Sequence, residues 1–173
     1  MGRDKTGFAE FFESSWEPCL RAVAASTGDL TLAEDQVAEA FARAWTAWAK
    51  VSRHPAPAAW IVRTALNTGA TWWRRRGRET PLGDRDFQVA DSPDPGLDAA
   101  LLTALRRLPA RQREVTVLRV FLDLDIDTTA RELGIAPGTV RAHLSRAMTA
   151  LREELRENRP GEPTPATTTE MRS

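Results

Sequence analysis

The chain has 173 residues, enough for one ordinary domain or two small ones. Its 24 basic and 24 acidic side chains cancel, which excludes a uniformly basic coat, so any hold on a polyanion must come from local patches. The single Cys19 excludes an internal disulfide and suits a reducing cytoplasm, and no apolar run approaches the roughly 20 residues of a membrane span.

The opening MGRDKTGFAEFF lacks the apolar centre of a secretory signal. A helical stretch is expected from about Gly7 to Ser26, kinked or interrupted at Pro18. Residues 31–49, TLAEDQVAEAFARAWTAWA, repeat Ala33, Val37, Ala40, Phe41, Ala44, Trp45 and Trp48 at helical spacing. Thr31 and Glu34 read as a capping box at its start. Between residues 29 and 40 there are four acids and no base. Residues 58–76, AAWIVRTALNTGATWWRRR, predict a further helix with Ile61, Ala65 and Trp72 near one side. Residues 60–78 hold five arginines and no acid, a local patch of the kind the neutral total demands. Trp45, Trp48 and Trp60 are expected in the core. Trp72 and Trp73, about 100° apart on a helix, cannot both point inward.

The composition then changes. Residues 79–98, ETPLGDRDFQVADSPDPGLD, contain three prolines, two glycines and six acids, the signature of a flexible acidic linker rather than a packed element. A second helical block follows. Residues 158–173, NRPGEPTPATTTEMRS, have little to bury and are expected to be disordered. The fold class expected is all-α: two small helical domains, 6–78 and 97–157, joined by a linker over 79–96.

Within the second block, residues 130–148, ARELGIAPGTVRAHLSRAM, have the logic of a helix-turn-helix. Asp127 is expected to cap a short helix over 128–133. Ala130 is small where two helices must cross, and Gly134 suits a left-handed C-cap. A second helix is expected from about Gly138, burying Val140, Leu144, Ala147, Met148, Leu151 and Leu155 on one face. The opposite arc carries Arg141, Ala142, Ser145, Arg146 and Thr149, and residues 138–152 contain three arginines and no acid. Such a helix enters the major groove with its N-terminal residues against base edges. Arg141 and Arg146 suit guanine O6 and N7, and Ser145 suits a base or a phosphate. An amphipathic hairpin that only packs would not need the acid-free arc.

Residues 108–155, LPARQREVTVLRVFLDLDIDTTARELGIAPGTVRAHLSRAMTALREEL, resemble the fourth conserved region of bacterial RNA polymerase sigma factors. The segments AEDQVAEAFARAW and AWIVRTALNTGATWWRRR resemble the second region. Two such blocks and a linker, over about residues 8–156, are similar to the extracytoplasmic-function (ECF) group of the sigma-70 family. Two departures stand out: Ala38 where the family usually has Gln, and TTA where it usually has Glu-Ile-Ala at the start of the helix-turn-helix. The resemblance implies that Glu34, Asp35, Glu39 and Phe41 dock on the β′ clamp helices of core RNA polymerase. It implies that Arg63, Asn67, Arg74, Arg75 and Arg76 contact the −10 element of promoter DNA, with Arg53 and His54 in a loop that holds a flipped base. Asn67 either touches DNA or caps a buried backbone group, and His54 either lines that pocket or is a plain loop histidine. Thr139, Arg141, Ala142, Ser145 and Arg146 are the implied −35 contacts, on a domain that meets the polymerase β flap. An anti-sigma protein is a further implied partner.

Two histidines and one cysteine form no ligand cluster, so neither metal nor cofactor is expected. The chain is expected to be cytoplasmic, with no membrane insertion, and not an enzyme. The alternative is a stand-alone dimeric helix-turn-helix regulator that binds DNA without polymerase. A recombinase-like enzyme would need a charged pocket around Ser14 or Ser15, and no such constellation surrounds them in sequence.

Overall fold

A computed structural model of the protein describes residues 4–76 and 97–157, with backbone alone for 69–76. Among the described residues every regular element is helical. The expected linker and tail lie outside them.

Helix α1 spans Lys5–Thr27. Asp4 caps it, accepting from the Gly7 N–H at 2.9 Å. It stops at Gly28, whose φ of 72° is the left-handed conformation that glycine adopts without a Cβ penalty. Pro18 does not interrupt it: of the two expected outcomes, a kink or a break, the break does not occur. A mid-helix proline costs about 3 kcal/mol through a lost donor and a ring clash. Here both flanks are anchored: Cys19, Leu20 and Val23 are buried beyond the proline, and Phe8, Phe11 and Trp16 pack before it.

Helix α2 (Leu30–Thr46) begins at Asp29, whose carboxylate accepts from the Leu32 N–H at 2.9 Å. Thr31 is therefore inside the helix, and the capping box expected at Thr31–Glu34 does not form. Asp29 follows the Gly28 reversal directly, in extended backbone, so it reaches the free N–H groups first. The chain breaks at Ala47, makes a single turn α3 (Trp48–Val51), crosses a loop and enters α4 (Pro57–Arg76). Helices α1, α2 and α4 pack against one another, burying Val23, Val37, Ala40, Ala44, Ile61, Val62 and Ala65.

The second block opens with α5 (Ala99–Arg107), capped by Asp98. It ends where Leu108 turns extended before Pro109, as a residue preceding proline must. Helix α6 (Ala110–Thr116) runs into a π-helical turn, Val117–Phe121. Helices α7 (Ile126–Leu133) and α8 (Pro137–Glu157) complete the block. The cap of α7 is Asp125, not Asp127: both its carboxylate oxygens are engaged, with the Thr128 N–H at 2.7 Å and the Thr128 hydroxyl at 3.0 Å. The earlier start brings Ile126 onto the apolar cluster of Val115, Ala130 and Val140.

The two blocks do not stand apart. The α1 helix packs on α5 and on the π-helical turn. One core cluster runs from Leu20 and Val23 to Leu105, Leu108, Val117, Ala147 and Leu151. Burial of apolar surface, worth about 25 cal/mol per Å², thus joins the two blocks through a shared core.

Candidate nucleic-acid and polymerase interfaces

Helix α8 is aimed by the turn before it. Gly134 adopts φ 65°, and the Ile135 N–H returns to the Ala130 carbonyl at 3.0 Å, closing α7. Pro137 occupies the first position of α8, where its fixed φ suits helix initiation and its missing N–H costs nothing. Ala130 is buried against Val115 and Val140 at the α7–α8 crossing, as its size predicts. Val140, Ala147 and Leu151 face the core. Thr139, Arg141, Ala142, Ser145, Arg146 and Thr149 all face solvent. Several other surface arginines are paired, Arg43 with Glu39, Arg107 with Glu154 and Arg111 with Glu114. No ion pair within the described residues engages Arg141 or Arg146. Two uncompensated guanidinium groups on one helix face can take phosphate or guanine in the geometry that the planar fork favours.

In the first block, Arg53 is exposed and turns its Nε–H onto the Ala49 carbonyl at 2.6 Å. His54 is half-buried, and its Nδ1 accepts from the Ala56 N–H at 3.1 Å. That bond leaves the ring proton on Nε2, which lies 3.7 Å from Glu132 Oε1. The other oxygen of Glu132 lies 3.5 Å from Arg63 Nη1. Asn67, one turn beyond Arg63, is exposed and lines the same inter-block groove with Leu118 and Leu133. Arg74, Arg75 and Arg76 continue α4, and their side chains lie outside the described residues.

The acidic side chains Glu34, Asp35 and Glu39 are exposed together on α2, with Ala38 between them. Glu39 also accepts from the Arg43 Nε at 2.8 Å. Phe41 does not belong to that surface. Only 2% of it is exposed, because Phe8, Phe11, Phe12 and Trp16 surround it with ring centroids 5.0–6.5 Å away. A large apolar ring gains more from such packing than from water, so its reading as a direct polymerase contact is corrected to a core residue that positions α2.

Glu132, buried and paired across the blocks, was not singled out from the sequence. It stands 69 residues from Arg63, and no local pattern announces such a pairing. Among the described residues no group of histidine, cysteine, aspartate and glutamate could hold a metal ion, and no helix is long and apolar enough to cross a membrane.

Two family models match: Sigma-70 region 2 over residues 15–79 and Sigma-70, region 4 over residues 98–151. An RNA polymerase sigma-E factor of Streptomyces antibioticus is 34% identical over 151 residues, covering 86% of this chain and 84% of that one. An ECF RNA polymerase sigma factor, SigL, of Mycobacterium tuberculosis is 32% identical over 82% of each chain. The solved sigma factor RpoE, in complex with the anti-sigma factor NepR from Bartonella quintana, shares the fold: the TM-score is 0.68 at 22% identity, covering 88% of this chain and 99% of that one. With both regions in order on one chain, and such identity over most of its length, the protein belongs to the sigma-70 family of RNA polymerase sigma factors, in the ECF group.

Proposed function

We propose that this sigma factor divides its work among three surfaces. Residues 97–157 form the −35-binding domain, in which Thr139, Arg141, Ala142, Ser145 and Arg146 meet the major groove and which also meets the β flap. Residues 6–78 form the −10-binding domain, in which Arg63, Asn67, Arg74, Arg75 and Arg76 hold the DNA backbone, and Arg53 and His54 border the site of an extruded base. Glu34, Asp35 and Glu39 on α2 bind the β′ clamp helices. The protein works in the cytoplasm, carries out no chemistry itself, and has an anti-sigma protein as its regulator. In support of that last partner, the fold neighbour RpoE was solved with one.

The observation that carries the DNA reading is the outward face of α8, exposed from Thr139 to Thr149 and free of acids. A well-formed arginine–guanine pair discriminates against a wrong base by about 1–3 kcal/mol. Replacing Arg141 or Arg146 by alanine should therefore relax preference at one or two −35 bases and leave the others intact. In vitro transcription from a promoter library, with core polymerase and each variant, reads this directly. Uniform loss across all sequences would mean that the arginine grips phosphate and reads nothing.

A further inference from the structure

Helix α7, the first helix of the helix-turn-helix, carries a single cation, Arg131. Its side chain is exposed, yet it is held in place. Nη2 donates to the Thr128 hydroxyl oxygen at 3.0 Å, and that hydroxyl donates to Asp125 Oδ2 at 3.0 Å. The other oxygen of Asp125 accepts from the Thr128 N–H at 2.7 Å, so the relay is anchored in the cap of α7. A guanidinium has five N–H donors, and this bond occupies one. No carboxylate of the described residues lies within 4 Å of Arg131. Beside it opens a shallow notch of about 430 Å³, bordered by Asp127, Gly134, Ala136 and Pro137. A Cβ on Gly134 or Gly138 would meet nothing within 4 Å. Helix propensity disfavours glycine at 138, and no described residue fills the space it leaves. The notch ends at Pro137, two residues before Thr139 on the exposed face of α8.

From this we infer that Arg131 is a phosphate clamp for the −35 element, gripping the strand that borders the major groove where it passes the start of α8. The inference rests on the reading of α8 as the −35 helix. In a helix-turn-helix the second helix enters the groove and the first crosses the DNA backbone. With Thr139 and Arg141 against the bases, the notch before α8 faces that backbone. Gly134, Ala136 and Gly138 leave it low enough for a sugar–phosphate strand to settle. The arginine fork takes two oxygens of one phosphate. The relay through Thr128 to Asp125 orders the guanidinium before DNA arrives, so less side-chain freedom is lost on binding. Asp127, on the same notch, opposes the grip, because its carboxylate repels phosphate. A phosphate carries no base identity. Arg131 therefore adds affinity and fixes register, whereas Arg141 and Arg146 read bases.

The test uses holoenzyme assembled with the full-length chain, and a cognate promoter fragment titrated over a series of salt concentrations. Arg131→Gln keeps an amide donor for Thr128 and removes the charge. Affinity at about 0.1 M salt should fall about three- to ten-fold, and the slope of log affinity against log salt should lose about 0.9, the share of one phosphate. Base preference at −35, read from a promoter library, should match wild type. Arg131→Lys keeps the charge and should keep the slope. Asp127→Asn removes the opposing charge and should tighten binding. An unchanged slope in Arg131→Gln overturns the clamp. A shifted base preference overturns it too, since Arg131 would then read bases or hold α8 in place. So does an Asp127→Asn holoenzyme that binds no tighter than wild type. Should Arg131→Gln melt well below wild type, Arg131→Lys and Asp127→Asn decide: a lost slope in the first or unchanged affinity in the second overturns the clamp. Arg141→Ala and Arg146→Ala in the same assay separate the two failures. If they alter promoter binding and Arg131→Gln does not, the clamp alone has failed. If neither alters affinity or preference, the −35 reading has failed and the clamp falls with it.

Discussion

Asp125 shows how one side chain sets the position of a reading head. Its carboxylate accepts from the backbone N–H and from the hydroxyl of Thr128, and the backbone bond above all holds its carboxyl below the ordinary range. A group whose pKa is lower in the folded chain contributes stability above its unfolded pKa, and that contribution is lost as pH falls through the folded value. The second block should therefore lose part of its stability on acidification, through the cap of α7. Asp125→Asn keeps an acceptor oxygen and cannot titrate, so its melting temperature should fall less steeply than wild type below about pH 4. Asp125→Ala should melt lower than wild type at pH 7, because the Thr128 N–H loses its partner. Thermal melts of the three proteins from pH 3 to 7 check this. An acid limb in Asp125→Asn as steep as that of wild type would show that another carboxylate governs it.

At the scale of the helix, α2 divides its two faces by chemistry. Ala33, Val37, Ala40 and Phe41 face inward, and Glu34, Asp35 and Glu39 face water. The inner face is held by an aromatic cluster that reaches from Phe8 to Trp48, so the acids are carried on a stiff support. Asp35→Arg with Glu39→Arg should weaken capture of core polymerase by about ten-fold, most at low salt, where exposed charges are least screened. The second change also removes the Arg43 partner, which is exposed and of little consequence for stability. Circular dichroism establishes that the variant is folded. Unchanged capture at physiological salt would detach the acidic face from polymerase binding. Phe41→Ala belongs to a different class of outcome: it empties a buried site and costs stability first.

At the scale of the molecule, two basic faces occupy one closed body. Each offers only a few phosphate contacts, and affinity for a polyanion rises with the number of phosphates neutralised. The α8 face is open to solvent, and Arg63, itself half exposed, lies with His54 within 4 Å of Glu132. Free protein should therefore bind a cognate promoter fragment at least about ten-fold more weakly than holoenzyme at the same salt, since both elements cannot be held at once. Fluorescence anisotropy with and without core enzyme decides it. Comparable affinities would favour a regulator that acts without polymerase.

Local order is legible in the sequence. The period of α2, α4 and α8, the left-handed Gly134, the small Ala130 and the exposed arc from Arg141 to Arg146 follow from near neighbours in the chain, and the helix-turn-helix depends on little else. The misses lie where competing signals meet. Two cap-forming residues stood within two positions of each helix start; the left-handed turn at Gly28 chose Asp29 over Thr31, and the packing of Ile126 accompanies the choice of Asp125 over Asp127. Pro18 reads as a breaker until burial on both sides outweighs its cost. Phe41 reads as one side of an interface until four aromatic rings enclose it. Sequence by itself determined the helices, their polar and apolar faces and the family. Tertiary structure alone decided that the two blocks close on each other and that Glu132 meets Arg63 and His54. Apolar burial and charge pairing between segments 69 residues apart leave no trace in the local periodicity of either one.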